Sequence, residues 1–186
     1  MTKMKDSELK WTVESSRSLL ETRVFEVLGQ TELSGTGLEG EFIAVKAPEW
    51  VMVIPEYKGQ FAMVRQWRHG AEAMSLEFPG GVLDEGEDPE TATRRELLEE
   101  TGFKAGKLTL LGVTNPNAAL FKNHFHVYLA EELEQTGTQK LDEDEFLNFM
   151  MMPVEEVIEA YGKGEFFHAM MGTALFFYLR QKKYSF

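Results

Sequence analysis

The 186-residue sequence contains no cysteine, only six prolines and no long hydrophobic run. Without cysteine, disulfide bonds and thiolate metal ligands are excluded. A membrane-spanning helix needs about 20 consecutive apolar residues, and the chain has no such stretch. The first ten residues, MTKMKDSELK, are polar and lack the apolar segment of a signal peptide. We therefore expect a cytoplasmic protein that does not enter membranes.

Positive charge is also scarce, since the chain has 19 lysines and arginines but 31 acidic residues, which gives a net charge of −12 at pH 7. Sequence-independent binding to DNA or RNA requires basic surface, so the composition argues against a nucleic-acid partner. An anionic substrate would have to be attracted by metal ions and a few arginines. The length suffices for one substantial hydrophobic core and a small accessory element.

Two regions follow from the hydrophobic pattern. Residues 1–46 carry the alternating stretches RVFEVLGQTEL and GEFIAVKA around a glycine-rich turn, which predicts a small antiparallel β element. Residues 47–186 form the second region, with few helices among many strands, which predicts an α/β domain whose helices sandwich a mixed sheet. Its predicted elements are the strands WVMVIPEY, QFAMVRQW, LTLLGVT, NHFHVYLA and 146–152, one helix from Pro153 to before Gly162, and another from His168 to Gln181.

The most informative segment is GVLDEGEDPETATRRELLEETGF, which begins at Gly81. Asp88 followed by proline predicts the start of a helix, and Gly102 predicts its end. Three glutamates between them, at positions 96, 99 and 100, are spaced so that they share one helix face. Like charges on one face repel each other, and a hard divalent cation such as Mg²⁺ or Mn²⁺ would relieve that repulsion. For a bare E-x-x-E-E pattern, a solvated acidic face is the alternative interpretation.

The residues around the glutamates favour the metal site. Arg95 lies one turn before Glu99 and can pair with it without neutralising all three acids. The preceding residues, Phe78-Pro79-Gly80-Gly81, predict a tight loop in which two glycines let the backbone approach a ligand closely.

Gly81, Glu87, Arg95-Glu96-Leu97, Glu99-Glu100 and Gly102-Phe103 together form a complete Nudix box, so the chain resembles the Nudix hydrolases. With the upstream RQWRHG and SLEFPGG and the N-terminal strands, it is similar to the ADP-ribose pyrophosphatase branch of that family. The resemblance implies a Nudix-type α/β/α sandwich. It also implies metal-dependent hydrolysis of a nucleoside diphosphate sugar, with ADP-ribose cleaved to AMP and ribose 5-phosphate.

The resemblance assigns roles to particular residues. The implied ligands of Mg²⁺ or Mn²⁺ are Glu96, Glu99, Glu100 and the Gly80 carbonyl, while Gly81, Glu87 and Arg95 support the box. A second acidic segment, LDEDEFLNF, contains Glu143 and Glu145 at the spacing of an E-x-E element that supplies the catalytic base or a further metal ligand. A solvated loop is the alternative there, and which of the two glutamates acts is left open.

Substrate contacts are implied at four further positions. Arg68 would bind phosphate or pair with Glu77, a surface ion pair being the alternative. Trp50 would contact the base or belong to the core, and Pro116 would shape the sugar side. Around that proline the chain has asparagine and alanine, where ADP-ribose-cleaving relatives typically have glycine.

Two alternatives to ADP-ribose hydrolysis remain. One is hydrolysis of GDP-mannose, a dinucleoside polyphosphate or a nucleoside triphosphate. The other is a Nudix-fold module that binds a nucleotide sugar without cleaving it, which the intact acids of the box disfavour. The resemblance also implies a homodimer formed through the N-terminal strands.

Overall fold

A computed structural model describes residues 3–137, 139–141 and 145–184. The chain forms two compact units, Met1–Pro48 with Asn115–Asn123, and Glu49–Thr114 with His124–Phe186. The first unit contains one short helix and a three-stranded antiparallel sheet. Its elements are α1 (Asp6–Leu9), β1 (Trp11–Glu21), β2 (Glu26–Ser34) and β3 (Glu39–Lys46), and the strand order is β1-β2-β3. The segment Asn115–Asn123 attaches to β3, since Val45 bonds to Leu120 and Lys122 through the backbone.

The sheet of the first unit leaves many apolar side chains exposed. Strand β1 contains no buried residue: Trp11 is partly buried and the rest of the strand is exposed. Exposed apolar residues of β1, β2 and β3 include Val13, Leu19, Leu20, Leu33, Phe42 and Ile43. Phe42 and Ile43 are consecutive in β3 and point to opposite faces, so apolar side chains are exposed on both faces of the sheet. Exposed apolar side chains of this kind are typical of a surface that another protein covers.

The second unit is built on a mixed sheet. Its strands are β4 (Trp50–Tyr57), β5 (Gln60–Arg68), β6 (Ala73–Glu77), β7 (Phe103–Thr114), β8 (Phe125–Gln135) and β9 (Leu147–Pro153). Its helices are α2 (Pro89–Thr101), α3 (Val154–Ala160) and α4 (Ala169–Lys182). The strand order is β6-β5-β4-β8-β7, with β9 on the other edge of β5, and only β4 and β8 pair in parallel. The predicted mixed sheet is confirmed.

Alternating residues of the central strands pack against helices on opposite faces. Val53 and Ala62 form a buried cluster with Leu97 of α2. Their neighbours Ile54 and Phe61 point the other way, into the larger cluster with α3 and α4. Helices therefore cover both faces of the sheet, and the predicted α/β/α sandwich is confirmed.

The sheet is open between β4 and β5, which pair only beside the Lys58–Gly59 turn. Farther along β4, the backbone N–H groups of Val53 and Val51 donate instead to the carbonyls of Pro79 and Gly81, each across 2.9 Å. The loop Phe78-Pro79-Gly80-Gly81, called the glycine loop below, thus fills the opening between the two strands. This insertion places the loop directly beside the helix that follows it.

Helix α2 begins and ends as its sequence predicts. The Asp88 side chain accepts hydrogen bonds from the backbone N–H groups of Glu90 and Thr91. At the other end Gly102 adopts the left-handed conformation, with φ of 73°, and its N–H donates to the Leu98 carbonyl. Within the ranges that the structure describes, no helix is both long and apolar enough to cross a membrane.

Candidate active site

Three glutamates converge next to the glycine loop. One carboxylate oxygen from each of Glu96, Glu100 and Glu145 lies within 4.8 Å of the other two. Glu96 and Glu100 belong to α2 and are 6% and 2% exposed, whereas Glu145 comes from the segment before β9 and is less buried. Two of the acids come from one helix and the third from a segment 45 residues later in the chain.

Burial makes this group of acids electrostatically unfavourable without a cation. Burial raises the pKa of Glu100 well above its usual range, and the neighbouring Glu96 carboxylate raises it further. Burial also raises the pKa of Glu96 to about 7, even though Arg95 acts in the opposite direction. Because all donors are carboxylate oxygens, the group fits a hard divalent cation such as Mg²⁺ or Mn²⁺.

Two glycines let the loop approach the helix. The Gly80 N–H donates to Oε2 of Glu100 across 2.9 Å. A Cβ atom on Gly81 would lie 2.3 Å from Oε1 of Glu96, and one on Gly80 would lie 2.3 Å from the Val51 carbonyl oxygen. A side chain at position 80 would therefore clash with the backbone of β4, whereas one at position 81 would displace the carboxylate of Glu96. The predicted role of the Gly80 carbonyl as a metal ligand stays a prediction.

Arg95 connects the loop to the acids of α2. Its Nε and Nη2 contact Glu87 at 3.1 and 2.9 Å, and its Nη1 contacts Glu96 at 2.9 Å and Glu99 at 3.3 Å. Glu87 in turn accepts a hydrogen bond from the Asp84 N–H, which closes the loop. Hydrogen bonds from Arg95 lower the pKa of Glu87. Nη1 of Arg95 thus contacts both Glu96 and Glu99, but of these two only Glu96 belongs to the group of three acids.

Arg68 and Glu77 form a partly buried ion pair on neighbouring strands β5 and β6. Nε of Arg68 donates to Oε1 of Glu77 across 2.8 Å, and Nη2 donates to Oε2. The Glu77 side chain is fully buried, while that of Arg68 is 38% exposed. Burial acts to raise the pKa of Glu77, but the hydrogen bonds and charge of Arg68 outweigh it, so the pKa lies below the usual range. Arg68 also lies close enough to Glu100 to lower the pKa of that acid.

A cavity of about 270 Å³ lies beside the glycine loop. Its lining residues are Trp50, Val51, Met52, Arg68, Phe78, Gly80, Gly81, Val82, His168 and Met170. Sequence patterns indicated Trp50, Arg68 and Gly80, but not His168 or Met170. These two residues begin α4, about 90 residues after the glycine loop, and no motif marks them. Only the packing of α4 onto the sheet brings them to the cavity.

Two further predicted site residues are Glu143 and Pro116. Glu143 falls outside the residues that the structure describes. Pro116 belongs to the segment Asn115–Asn123 of the first unit, where the Asn115 side chain donates to the carbonyls of Phe121 and Asn123. The predicted roles of both residues stay predictions.

Comparison with known proteins gives a consistent result. Residues 45–171 match the family described as NUDIX domain. The chain is 36% identical to the ADP-ribose pyrophosphatase of Bacillus subtilis (strain 168) over 133 residues, covering 70% of this chain and 72% of that protein. It is 30% identical to the ADP compounds hydrolase NudE of Escherichia coli (strain K12) over 128 residues, covering 69% and 68%.

A crystal structure of an ADP compounds hydrolase superposes with a TM-score of 0.83 at 26% sequence identity. The superposition covers 96% of this chain and 98% of that one. The matched residues include the predicted box and the converging acids of α2. The chain belongs to the family of proteins that carry the NUDIX domain.

Proposed function

We propose that the protein hydrolyses the diphosphate of nucleoside diphosphate sugars, with ADP-ribose as the substrate and AMP and ribose 5-phosphate as products. The observation that carries this proposal is the convergence of Glu96, Glu100 and Glu145 to within 4.8 Å. The names of an ADP-ribose pyrophosphatase and an ADP compounds hydrolase among the similar proteins support an ADP-linked substrate.

In this proposal the acids of α2 hold Mg²⁺ or Mn²⁺. Glu96 and Glu100 are the principal ligands, and Glu99 and the Gly80 carbonyl are the further candidates. A bound divalent cation supplies neutralisation of charge on diphosphate oxygens and activation of water. The buried carboxylates favour such a cation because burial raises their pKa values and so opposes their ionisation without one.

The remaining groups move a proton and orient the substrate. Glu145 would accept the proton of the attacking water, with Glu143 as the alternative. Arg68 uses Nε and Nη2 for Glu77, so Nη1 is the nitrogen that it would offer to a phosphate oxygen. Trp50 lines the cavity and would contact the base, while Pro116 would shape the sugar side. Positioning and electrostatics dominate such phosphoryl transfers, so no covalent intermediate with the protein is needed.

The test is hydrolysis of ADP-ribose, GDP-mannose, a dinucleoside polyphosphate and a nucleoside triphosphate, each with Mg²⁺, with Mn²⁺ or with EDTA. A phosphatase added to the assay releases phosphate from newly exposed monoesters. Metal-dependent turnover of ADP-ribose is expected. Turnover of another compound alone would overturn the substrate assignment, and binding without turnover would make the protein a nucleotide-sugar sensor.

We also propose a cytoplasmic homodimer formed through the N-terminal unit, residues 1–46. The exposed apolar side chains of β1, β2 and β3 support it, because a partner subunit would remove part of this apolar surface from water. Light scattering is expected to give twice the chain mass, and Phe42→Lys to lower it toward the monomer. A wild-type protein that is monomeric at micromolar concentration would contradict this arrangement.

A further inference from the structure

The C-terminal end of α2 is joined to a segment that comes much later in the chain. The last four carbonyl groups of a helix have no hydrogen-bond partner within the helix itself. Two of those in α2 accept hydrogen bonds from outside it. The Lys140 N–H donates to the Glu99 carbonyl across 2.8 Å, and Nε2 of Gln139 donates to the Glu100 carbonyl across 2.7 Å. The backbone of Glu100, one of the three converging acids, is therefore attached to this segment.

The Gln139 side chain is the part of this connection that depends on residue type. Lys140 uses its backbone N–H, which every residue except proline offers. A carbonyl oxygen can only accept a hydrogen bond, so position 139 must supply a donor that reaches the Glu100 carbonyl, as the glutamine amide does. Gln139 is half-buried and lies outside the box, and the proposed hydrolysis gives it no role.

Glu145 lies between two attachments of the chain. Six positions before it, Gln139 attaches the segment to α2. Two positions after it, Leu147 begins β9 and pairs with Gln66 of β5. Strand β9 thus holds Glu145 relative to the sheet, whereas the bonds to α2 hold its segment relative to the helix that carries the other two acids. Leu141 and Glu145 also line the same cavity of about 290 Å³, so the two ends of the segment lie near each other.

The position of Glu145 has to be held against repulsion. One oxygen of its carboxylate lies within 4.8 Å of an oxygen of both Glu96 and Glu100. Ionised carboxylates at such distances repel each other, most strongly where water is excluded. Glu96 and Glu100 are fixed by their helix, whereas Glu145 belongs to no helix or strand and would move away at the least cost in energy. Attachments on both sides of Glu145 oppose that movement before any cation binds.

We propose that Gln139 is a positioning residue, which holds the segment carrying Glu145 against the end of α2 and so keeps the three acids together. The inference rests on the proposed function, because the acids act there by holding a divalent cation. Gln139 touches neither the substrate nor the cation in this arrangement and acts through Glu145. Replacing residues that orient metal ligands in this way typically changes metal affinity by about 10- to 100-fold.

Binding of Mn²⁺ in the absence of substrate, followed by electron paramagnetic resonance, tests this role without turnover. Gln139→Met keeps the length of the side chain but removes its donor, and the dissociation constant of Mn²⁺ is expected to rise about tenfold. Gln139→Lys offers a donor to the same carbonyl at the end of the helix and is expected to stay within about twofold of wild type. Gln135→Met, at an exposed glutamine that ends β8, is the matched control and is expected to bind Mn²⁺ as wild type does.

A double-mutant cycle shows whether Gln139 acts through Glu145. Glu145→Gln alone is expected to weaken Mn²⁺ binding at least as much as Gln139→Met does, because one acid of the group loses its charge. Adding Gln139→Met to Glu145→Gln should then weaken binding by less than about twofold more, because the acid that Gln139 positions no longer takes part. Losses of affinity that add up in the double variant would overturn the inference.

Thermal unfolding in EDTA separates positioning from simple capping of the helix. A capping role alone would lower the melting temperature of Gln139→Met while leaving the Mn²⁺ affinity of the folded protein unchanged, and this result would overturn the inference. In turnover of ADP-ribose with saturating Mn²⁺, the same variant is expected to lower kcat about tenfold with KM changed less than about twofold, because the group that accepts the proton is displaced.

Failure of this inference can be distinguished from failure of the proposed hydrolysis. If wild type cleaves none of the test compounds, the proposed function fails, yet weaker Mn²⁺ binding by Gln139→Met with recovery in Gln139→Lys would still support the positioning role. If wild type cleaves ADP-ribose and Gln139→Met binds Mn²⁺ as tightly as wild type, the inference fails and the function stands. A wild-type protein that binds no Mn²⁺ would also overturn the inference.

Discussion

The backbone N–H of Gly80 donates a hydrogen bond to Oε2 of Glu100 across 2.9 Å, which ties the glycine loop to the last full turn of α2. This one donor does not offset burial, because the pKa of Glu100 still lies well above its usual range. The loop therefore fixes the position of the carboxylate but stabilises its charge only in part. A cation that enters later can supply that stabilisation.

Replacing Glu100 with glutamine is expected to lower kcat by about 10²- to 10³-fold, because a major electrostatic contact of the transition state is lost. The fold is expected to remain, since the amide oxygen can still accept the Gly80 N–H. Metal-dependent turnover measures the first effect and thermal unfolding in EDTA the second. Glu90→Gln, on the exposed side of the same helix, is the control and is expected to keep its activity. A fully active Glu100→Gln protein would remove this acid from the metal site.

Titration of Glu96 is expected to govern part of the stability of the metal-free protein. Burial raises its pKa from 4.5 to about 7, so the folded state binds a proton that the unfolded state has already released between these values. The free energy of unfolding should therefore fall as pH rises from 4.5 to about 7 and then level off. The full effect corresponds to roughly 3 kcal/mol.

Comparing wild type with Glu96→Gln in EDTA isolates this contribution. As pH rises through that interval, the free energy of unfolding of wild type should fall relative to that of Glu96→Gln. Added Mg²⁺ at pH 8 should stabilise wild type more than Glu96→Gln, because a bound cation stabilises the ionised acids. A difference that is constant with pH would show that Glu96 titrates normally.

Local sequence signals sufficed for much of the fold. Asp88, Pro89 and Gly102 carry cap chemistry that depends only on neighbouring residues, so the bounds of α2 were predictable. Alternating hydrophobicity predicted most strands of the second unit. Strand β6 was not predicted, because five residues that include Ala73 and Ser75 show no clear alternation and their pairing with β5 is a tertiary contact.

The candidate site was predictable where it lies within one helix and not where distant segments meet. Spacing alone placed Glu96, Glu99 and Glu100 on one face, but it could not show that Glu99 stays outside the group of three acids while the other two belong to it. That outcome depends on the neighbouring loop. His168 had no local signal at all, since its place at the cavity follows from the packing of α4.

Removing Arg68 is expected to destabilise the protein by about 3–5 kcal/mol, because the fully buried Glu77 carboxylate would lose its partner. The double variant Arg68→Ala with Glu77→Gln should recover part of this loss but no substrate affinity. Denaturant unfolding measures stability, and KM for ADP-ribose measures affinity. Arg65→Ala is the matched control on the same strand, since its pair with Glu165 is about one-third exposed on both sides and should contribute little to stability. Equal losses for both arginines would contradict the role of burial.

Two adjacent glycines are expected to respond differently to alanine. At Gly81 the added Cβ would meet the carboxylate of Glu96, a side chain that can move, whereas at Gly80 it would meet the backbone carbonyl of Val51. Gly81→Ala should therefore keep the fold but displace a metal-binding acid. Its apparent affinity for Mg²⁺ should fall about 10- to 100-fold, the range for disturbed metal surroundings.

Gly80→Ala should instead lower the melting temperature, because the loop would have to leave β4 and lose its backbone hydrogen bonds to Val51 and Val53. Gly70→Ala is the control, since no atom lies within 4 Å of its added Cβ. Titration of activity with Mg²⁺ and thermal unfolding are measured on all three variants. If Gly81→Ala bound Mg²⁺ as wild type does, the contact between the loop and Glu96 would not position the acid, and the glycine would serve only the path of the chain.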